Sequence, residues 1–146
     1  MLNGGNMKPN REISRRLFEE VWNEKKLSVI SELVTPDYAH HDAQSPAVQR
    51  GVEAYTEFVR LYLNAFPDLR FTIEDEIEAG NKVVTRWRVD GTHAGDLPGI
   101  RRTGRRVSLA GITLAQFRDG KMSESWNNWD ALLMMQQLGA ASASAA

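Results

Sequence analysis

The sequence contains no cysteine. Disulfides, thiolate nucleophiles and cysteine-ligated zinc are therefore excluded. It also lacks a long hydrophobic run: the longest, Ala131 to Met135, falls far short of the roughly 20 apolar residues that cross a bilayer. Charge of one sign is missing as well. The 18 Lys and Arg residues against 19 Asp and Glu leave a formal net charge of −1, where a nucleic-acid binder would show a basic excess or stripe. The one basic cluster, Arg101-Arg102-Thr103-Gly104-Arg105-Arg106, follows Pro98-Gly99 and reads as a solvated loop. Phosphate loops, nucleophile elbows and dinucleotide fingerprints are not found. With no apolar leader at the N-terminus, the expectation is a cytoplasmic protein with neither a membrane nor a nucleic acid as partner.

What the chain does contain suits one globular domain. A length of 146 residues, 42% of them hydrophobic and 25% charged, is enough for a real core in a single soluble unit. Residues 1–9 are rich in Gly and Asn, and 140–146 form an Ala/Ser tract. Both ends are expected to be flexible, leaving a single domain over 10–139. Ile13, Leu17, Phe18, Val21 and Trp22 fall on one helical face, with Asn10 as a plausible N-cap. Leu27, Ile30, Leu33 and Val34 suggest a short second helix stopped by Pro36. Val52, Tyr55, Phe58, Val59, Tyr62 and Phe66 mark a third, ended by Pro67.

The period then changes from helical to alternating. Leu69, Phe71 and Ile73, then Val83, Thr85, Trp87 and Val89, recur at every second position, with Gly80-Asn81 as the turn between them. A further strand runs from Val107 to Phe117, and Asp119-Gly120 leads into another from Met122 to Trp129. Ala131 to Leu138 closes as a helical turn with Gly139 as its stop. Helices followed by a mostly antiparallel sheet argue for an α+β fold. A curved sheet packed on helices leaves a concave interior suited to a small molecule.

Strand alternation places candidate chemistry in that interior. His93 continues the face of Thr85, Trp87 and Val89 and is expected to point inward, whereas Arg86, Arg88 and Asp90 face outward. On the last strand Met122, Glu124, Trp126, Asn128 and Asp130 share one parity. If Trp126 faces the pocket, Asp130 does too, and a carboxylate pressed against large apolar groups loses hydration and becomes a competent base. Asp130 also directly precedes Ala131-Leu132-Leu133 and so reads equally as a helix N-cap. His40-His41-Asp42 places three polar residues in a row, but adjacent residues of an extended segment point in opposite directions, so no metal site is expected. His41 reads either as a turn residue bonded to Asp42 or as a pocket group that orients substrate. Aromatics such as Trp22, Phe58, Tyr62, Phe66, Trp87 and Trp126, with Phe18, more often build a core than bind a ligand, but on the concave face of a cone they do both and would wall in a flat hydrophobic ligand.

Taken together, several fragments resemble the SnoaL-like polyketide cyclases, also called ester cyclases, of the nuclear-transport-factor-like superfamily. They are Thr35-Pro36-Asp37-Tyr38 with His41-Asp42, Ala65-Phe66-Pro67-Asp68-Leu69, Gly91-Thr92-His93, Phe117-Arg118-Asp119-Gly120-Lys121, Glu124-Ser125-Trp126 with Asp130, and Gln137-Leu138-Gly139. The likeness runs from about Phe18 to Gly139. It implies a cone-shaped barrel of a strongly curved sheet on N-terminal helices, assembled as a homodimer or homotetramer. It further implies ring closure of a hydrophobic polycarbonyl or aromatic ester by intramolecular aldol condensation, with no metal or organic cofactor. In that reading Asp130 is the acid/base, His41 and His93 assist it, and Asp42 and Gln116 join the aromatic residues in holding substrate. Some family members carry His where this chain has Gln116. Related cones perform isomerisation, dehydration or epoxide hydrolysis, or only bind ligands, and these are the alternatives.

Overall fold

The computed structural model describes residues 8–140; most of both expected flexible ends, 1–7 and 141–146, lies outside the described residues. Helix α1 (Asn10–Arg16) runs directly into a π-helical segment, Leu17–Asn23. The wider turn, closed by Glu24 N–H donating to the Glu19 carbonyl, lets Leu17, Phe18, Val21 and Trp22 all bury. Asn10 is the first helical residue and not the cap; Pro9 holds the cap position with no side-chain bond. A 3-10 turn, Leu27–Val29, precedes α2 (Ile30–Leu33). Pro36 does not stop this helix. Strand β1 (Val34–Asp42) has already begun, and Pro36 sits within it. This strand was hidden in the sequence because its inward residues are Tyr38, His40 and Asp42, a polar series without apolar alternation.

After the short β2 (Gln49–Arg50), helix α3 (Gly51–Ala65) packs Tyr55, Val59 and Leu63 inward. The remaining strands are β3 (Arg70–Ala79), β4 (Lys82–Thr92), β5 (Arg106–Arg118) and β6 (Lys121–Trp129), followed by α4 (Ala131–Leu138). They form one six-stranded sheet in the order β2-β1-β6-β5-β4-β3, all antiparallel except the parallel β1/β6 pair. This is the expected α+β cone of a curved, mostly antiparallel sheet on N-terminal helices, and because the sheet keeps two edges the cone is open. Asn23 covers part of the β3 edge: its amide donates to the Phe71 carbonyl at 2.9 Å and its oxygen accepts from Phe71 N–H at 2.7 Å, in the manner of an added strand.

Bulges set the curvature and decide which residues face inward. On β6 the register shifts between the Gln116↔Glu124 and Phe117↔Met122 pairs, leaving Ser123 as the extra residue. Met122 is buried on the inner face, but beyond the bulge the inner face passes to Ser125, Asn127 and Trp129. Trp126 and Asn128 are thereby turned outward.

Gly111 on β5 exists to admit the Trp87 ring. A Cβ there would overlap the indole and lie 2.9 Å from the Asn128 carbonyl oxygen. Gly111→Ala is expected to cost about 1–3 kcal/mol, the usual range for overpacking a core. It should also shift the Trp87 signal in near-ultraviolet circular dichroism. An unchanged melting temperature and spectrum would show that the ring is not wedged.

Candidate active site

The inner face of the cone holds two adjoining cavities. The outer one encloses about 560 Å³, counting its open mouth, and is walled by Trp22, Phe58, Tyr62, Phe66, Trp87 and Trp129. The inner one encloses about 330 Å³ and is lined by Phe18, Tyr38, His40, Tyr55, Thr113 and Ser125. Trp22, Phe58, Phe71 and Asn127 border both. Edge-to-face contacts lock these walls: Phe71 lies 5.3 Å from Trp22 and 4.9 Å from Trp87, centroid to centroid.

Into this apolar space β1 delivers one carboxylate. Asp42 is only 6% exposed. Its oxygens accept from the Trp129 indole N–H at 3.1 and 3.2 Å, from the Asn127 amide at 3.2 Å and from Gln44 backbone N–H at 2.8 Å. These donors follow from register: the parallel pairing sets Asp42 beside Asn127. A chain of bonds then runs back through the sheet. Trp87 Nε1 donates to Thr113 Oγ1 at 2.9 Å, and the Thr113 hydroxyl donates to Asn127 Oδ1 at 2.6 Å. That fixes the Asn127 amide with its nitrogen toward Asp42, one N–H spent and the second available to a ligand. Tyr62 also lines the outer cavity; burial, with the Asp42 charge adding to it, pushes its phenol up to about 12. It is therefore a neutral O–H donor at physiological pH.

The inner cavity has a polar floor. His40 is buried, with Nδ1 2.8 Å from Ser125 Oγ, and Ser125 in turn meets the Tyr38 hydroxyl. Desolvation lowers the His40 pKa to about 4, so the ring is neutral.

Several candidates from the sequence lie elsewhere. His41 is on the outer face of the sheet, stacked on Trp126 at 5.3 Å with Nε2 2.7 Å from Glu124 Oε2. It is His40, one residue earlier, that faces in. Gln116 is likewise turned outward, with Leu114 on the same side of β5. Asp130 is exposed and caps α4, accepting from Leu133 N–H at 2.9 Å. The N-cap reading is the one the structure shows, and the pocket-facing one fails because Trp126, on which it depended, faces outward. His93 is fully buried but lies behind Phe66, at 5.3 Å between ring centroids, and outside the cavity lining. Its Nδ1 accepts from Thr103 backbone N–H at 3.2 Å and so anchors the 94–105 loop. Burial lowers its pKa as well. Asp42, Trp22, Phe58, Tyr62, Phe66 and Trp87 do come together around the outer cavity, and Phe18 lines the inner one. Asn127, Thr113, Trp129 and His40 were not singled out from the sequence. Strand parity could have found His40, since it shares a face with Asp42. Among the described residues no group of three His, Asp or Glu side chains converges to hold a metal, because His41 points away from its two neighbours.

Comparison with known proteins bears on what such a cavity does. The family model for SnoaL-like polyketide cyclases matches residues 12–138. The aklanonic acid methyl ester cyclase DauD of Streptomyces sp. (strain C5) is 31% identical over 136 residues, covering 91% of this chain and 83% of that protein. The enzyme of the same name, DnrD, from Streptomyces peucetius is 31% identical over 131 residues, 88% of this chain and 89% of that one. Among solved structures, TsrD from Streptomyces laurentii superposes with a TM-score of 0.82 at 28% identity, covering 97% of this chain and all (100%) of that one. A protein assigned as a SnoaL-like polyketide cyclase in Jannaschia sp. CCS1 gives 0.86 at 25% identity, covering 97% and 99%. The cone, its apolar cavity and these matches lead to one assignment: the chain belongs to the SnoaL-like polyketide cyclase family.

Proposed function

We propose that the protein closes a ring in a polyketide-derived ester by cofactor-independent intramolecular aldol condensation, with Asp42 as the acid/base. The observation that carries this is the Asp42 carboxylate held by fixed donors at the wall of the outer apolar cavity. An Asp42 oxygen takes a proton from a carbon flanked by carbonyls. The enolate carbon attacks a second carbonyl of the same molecule, forming the new carbon–carbon bond. The resulting alkoxide takes the proton back, so the product is an isomer of the substrate and the enzyme is unchanged. The second Asn127 N–H and the Tyr62 hydroxyl are the available donors for the enolate oxygen, where preorganised hydrogen bonds act most strongly in an apolar site. The aromatic walls fold the flexible chain into a reactive conformer. The test is incubation with aklanonic acid methyl ester, the substrate in the relatives' names. A new species of unchanged mass is expected, and complete recovery of substrate would count against the reading.

We also propose that two copies pair through the outer face of the sheet. Register aligns Ile77, Val84, Leu114, Trp126 and His41 in one row across five strands. Ile77 is 61% exposed, and Ile112 in the next row 48%. An apolar stripe of this kind is what a self-associating sheet presents. Light scattering at micromolar concentration should give a dimer, or a tetramer made of two dimers, and Leu114→Glu should halve the assembly. A monomeric wild type would refute it.

A further inference from the structure

The inner cavity contains a polar atom that the ring-closing machinery does not use. His40 Nε2 is buried and has no hydrogen-bond partner among the described residues. The ring is held on three sides: Nδ1 against Ser125 on β6, and its faces against Tyr55 at 5.0 Å and Phe58 at 4.9 Å. Of the buried polar atoms without a partner, this one belongs to a residue that lines the inner cavity, and a buried donor or acceptor left unpaired calls for an explanation.

The order of protons around it can be worked out. Within the described residues the Tyr38 hydroxyl has only Ser125 Oγ and, at 3.5 Å, His40 Nδ1 as acceptors. Tyr38 is fully buried and its phenol stays protonated, its pKa pushed well above the ordinary value by burial. Its proton therefore goes to Ser125, the Ser125 proton goes to His40 Nδ1, and the neutral ring carries its own proton on Nε2. The reverse order would strand the tyrosine proton as well. Nε2 is thus a donor, and what it lacks is an acceptor.

We infer that the inner cavity is a subsite for an uncharged oxygen acceptor, a ketone-type carbonyl on the leading end of a flat ligand, bound by the His40 Nε2–H. The inference rests on the proposed ring-closing role only in supposing that the outer cavity takes the rest of the same molecule. His40 and Asp42 lie two residues apart on one face of β1, roughly 7 Å along the strand. A carbonyl seated on His40 would therefore fix how far the ligand enters and which of its carbons stops beside Asp42. His40 is in this sense a positioning residue for register and not an acid or base.

The probes are 9-fluorenone and fluorene, rigid tricycles that differ by one carbonyl oxygen. Neither aromatic ketone nor hydrocarbon has an acidic carbon between carbonyls, so binding is read whether or not the protein closes rings. Wild type is expected to bind fluorenone about tenfold more tightly than fluorene, the worth of one net hydrogen bond. His40→Phe should bind the two probes alike, the ratio of their affinities falling to about one. The second readout needs no variant: the ¹⁵N resonance of His40 Nε2 should show a proton-bearing nitrogen in the free protein and move with fluorenone but not with fluorene. Equal affinity of wild type for the two probes, failure of wild type to bind fluorenone, a preference that survives His40→Phe, or an unprotonated Nε2 would each overturn the assignment.

Discussion

Replacing Asp42 with asparagine is expected to lower kcat by about 10²- to 10⁴-fold, the usual contribution of a positioned general base. The fold should survive the change. Gln44 N–H and the Trp129 indole can still donate to the one remaining carbonyl oxygen at this position. The new amide group would face the Asn127 amide, and an end-over-end flip of Asn127 resolves that conflict. Its oxygen then accepts from the new amide, and its nitrogen donates to Thr113 Oγ1, whose proton is free to rotate. Substrate affinity should change far less than turnover, because the aromatic walls are untouched. A variant that keeps wild-type kcat, or that loses its circular dichroism spectrum along with its rate, would not support a chemical role for Asp42.

Acid is expected to destabilise the protein through His40 by about 3 kcal/mol. Free imidazole titrates near 6.5, and the buried ring near 4. Desolvation is the main cause; the Asp42 charge opposes it and the neighbouring His41 adds a little to it. Between those two values the unfolded chain takes up a proton that the folded one refuses. Stability from this group is therefore complete above about pH 6.5 and is lost as pH falls toward 4. His93, whose pKa burial also lowers, acts in the same direction. Urea unfolding at pH 7 and pH 4.5 should show a steep loss for wild type and a shallower one for His40→Phe, with His93 accounting for part of the remainder. Parallel losses in the two proteins would mean that the His40 ring is not held neutral.

Much of the fold could be read from the chain because apolar residues dictate it. The face of Ile13, Leu17, Phe18, Val21 and Trp22, the α3 face around Tyr55 and Val59, the two hairpin turns and the left-handed Gly139 stop all lie where the pattern places them. The site was harder to read, for one physical reason. Alternation locates the inner face of a strand only when that face is apolar. On β1 the inner residues are Tyr38, His40 and Asp42, and on the distal half of β6 they include Ser125 and Asn127, while the large Trp126 packs outward on His41. A sheet that lines a cavity with polar groups and carries large apolar residues on its back thus inverts the usual signal. The single inserted residue at Ser123 compounded this, since parity counted across a bulge is wrong by one. Asp130 follows Trp126 in parity, so the pocket-facing reading of Asp130 falls with the outward turn of Trp126. The pairing of β1 with β6, which brings Asp42 to Asn127, joins residues far apart in the chain and leaves no local trace.

The measurement that tests the account most directly is a pair of rates: kcat for Asp42→Asn and for Asp130→Asn, on one cyclisable ester under the same conditions. A loss of at least about 100-fold for Asp42→Asn, with Asp130→Asn close to wild type because asparagine also caps a helix well, is the result expected. The opposite order, with turnover abolished by Asp130→Asn and spared by Asp42→Asn, would contradict it and move the chemistry from the buried carboxylate to the exposed helix cap.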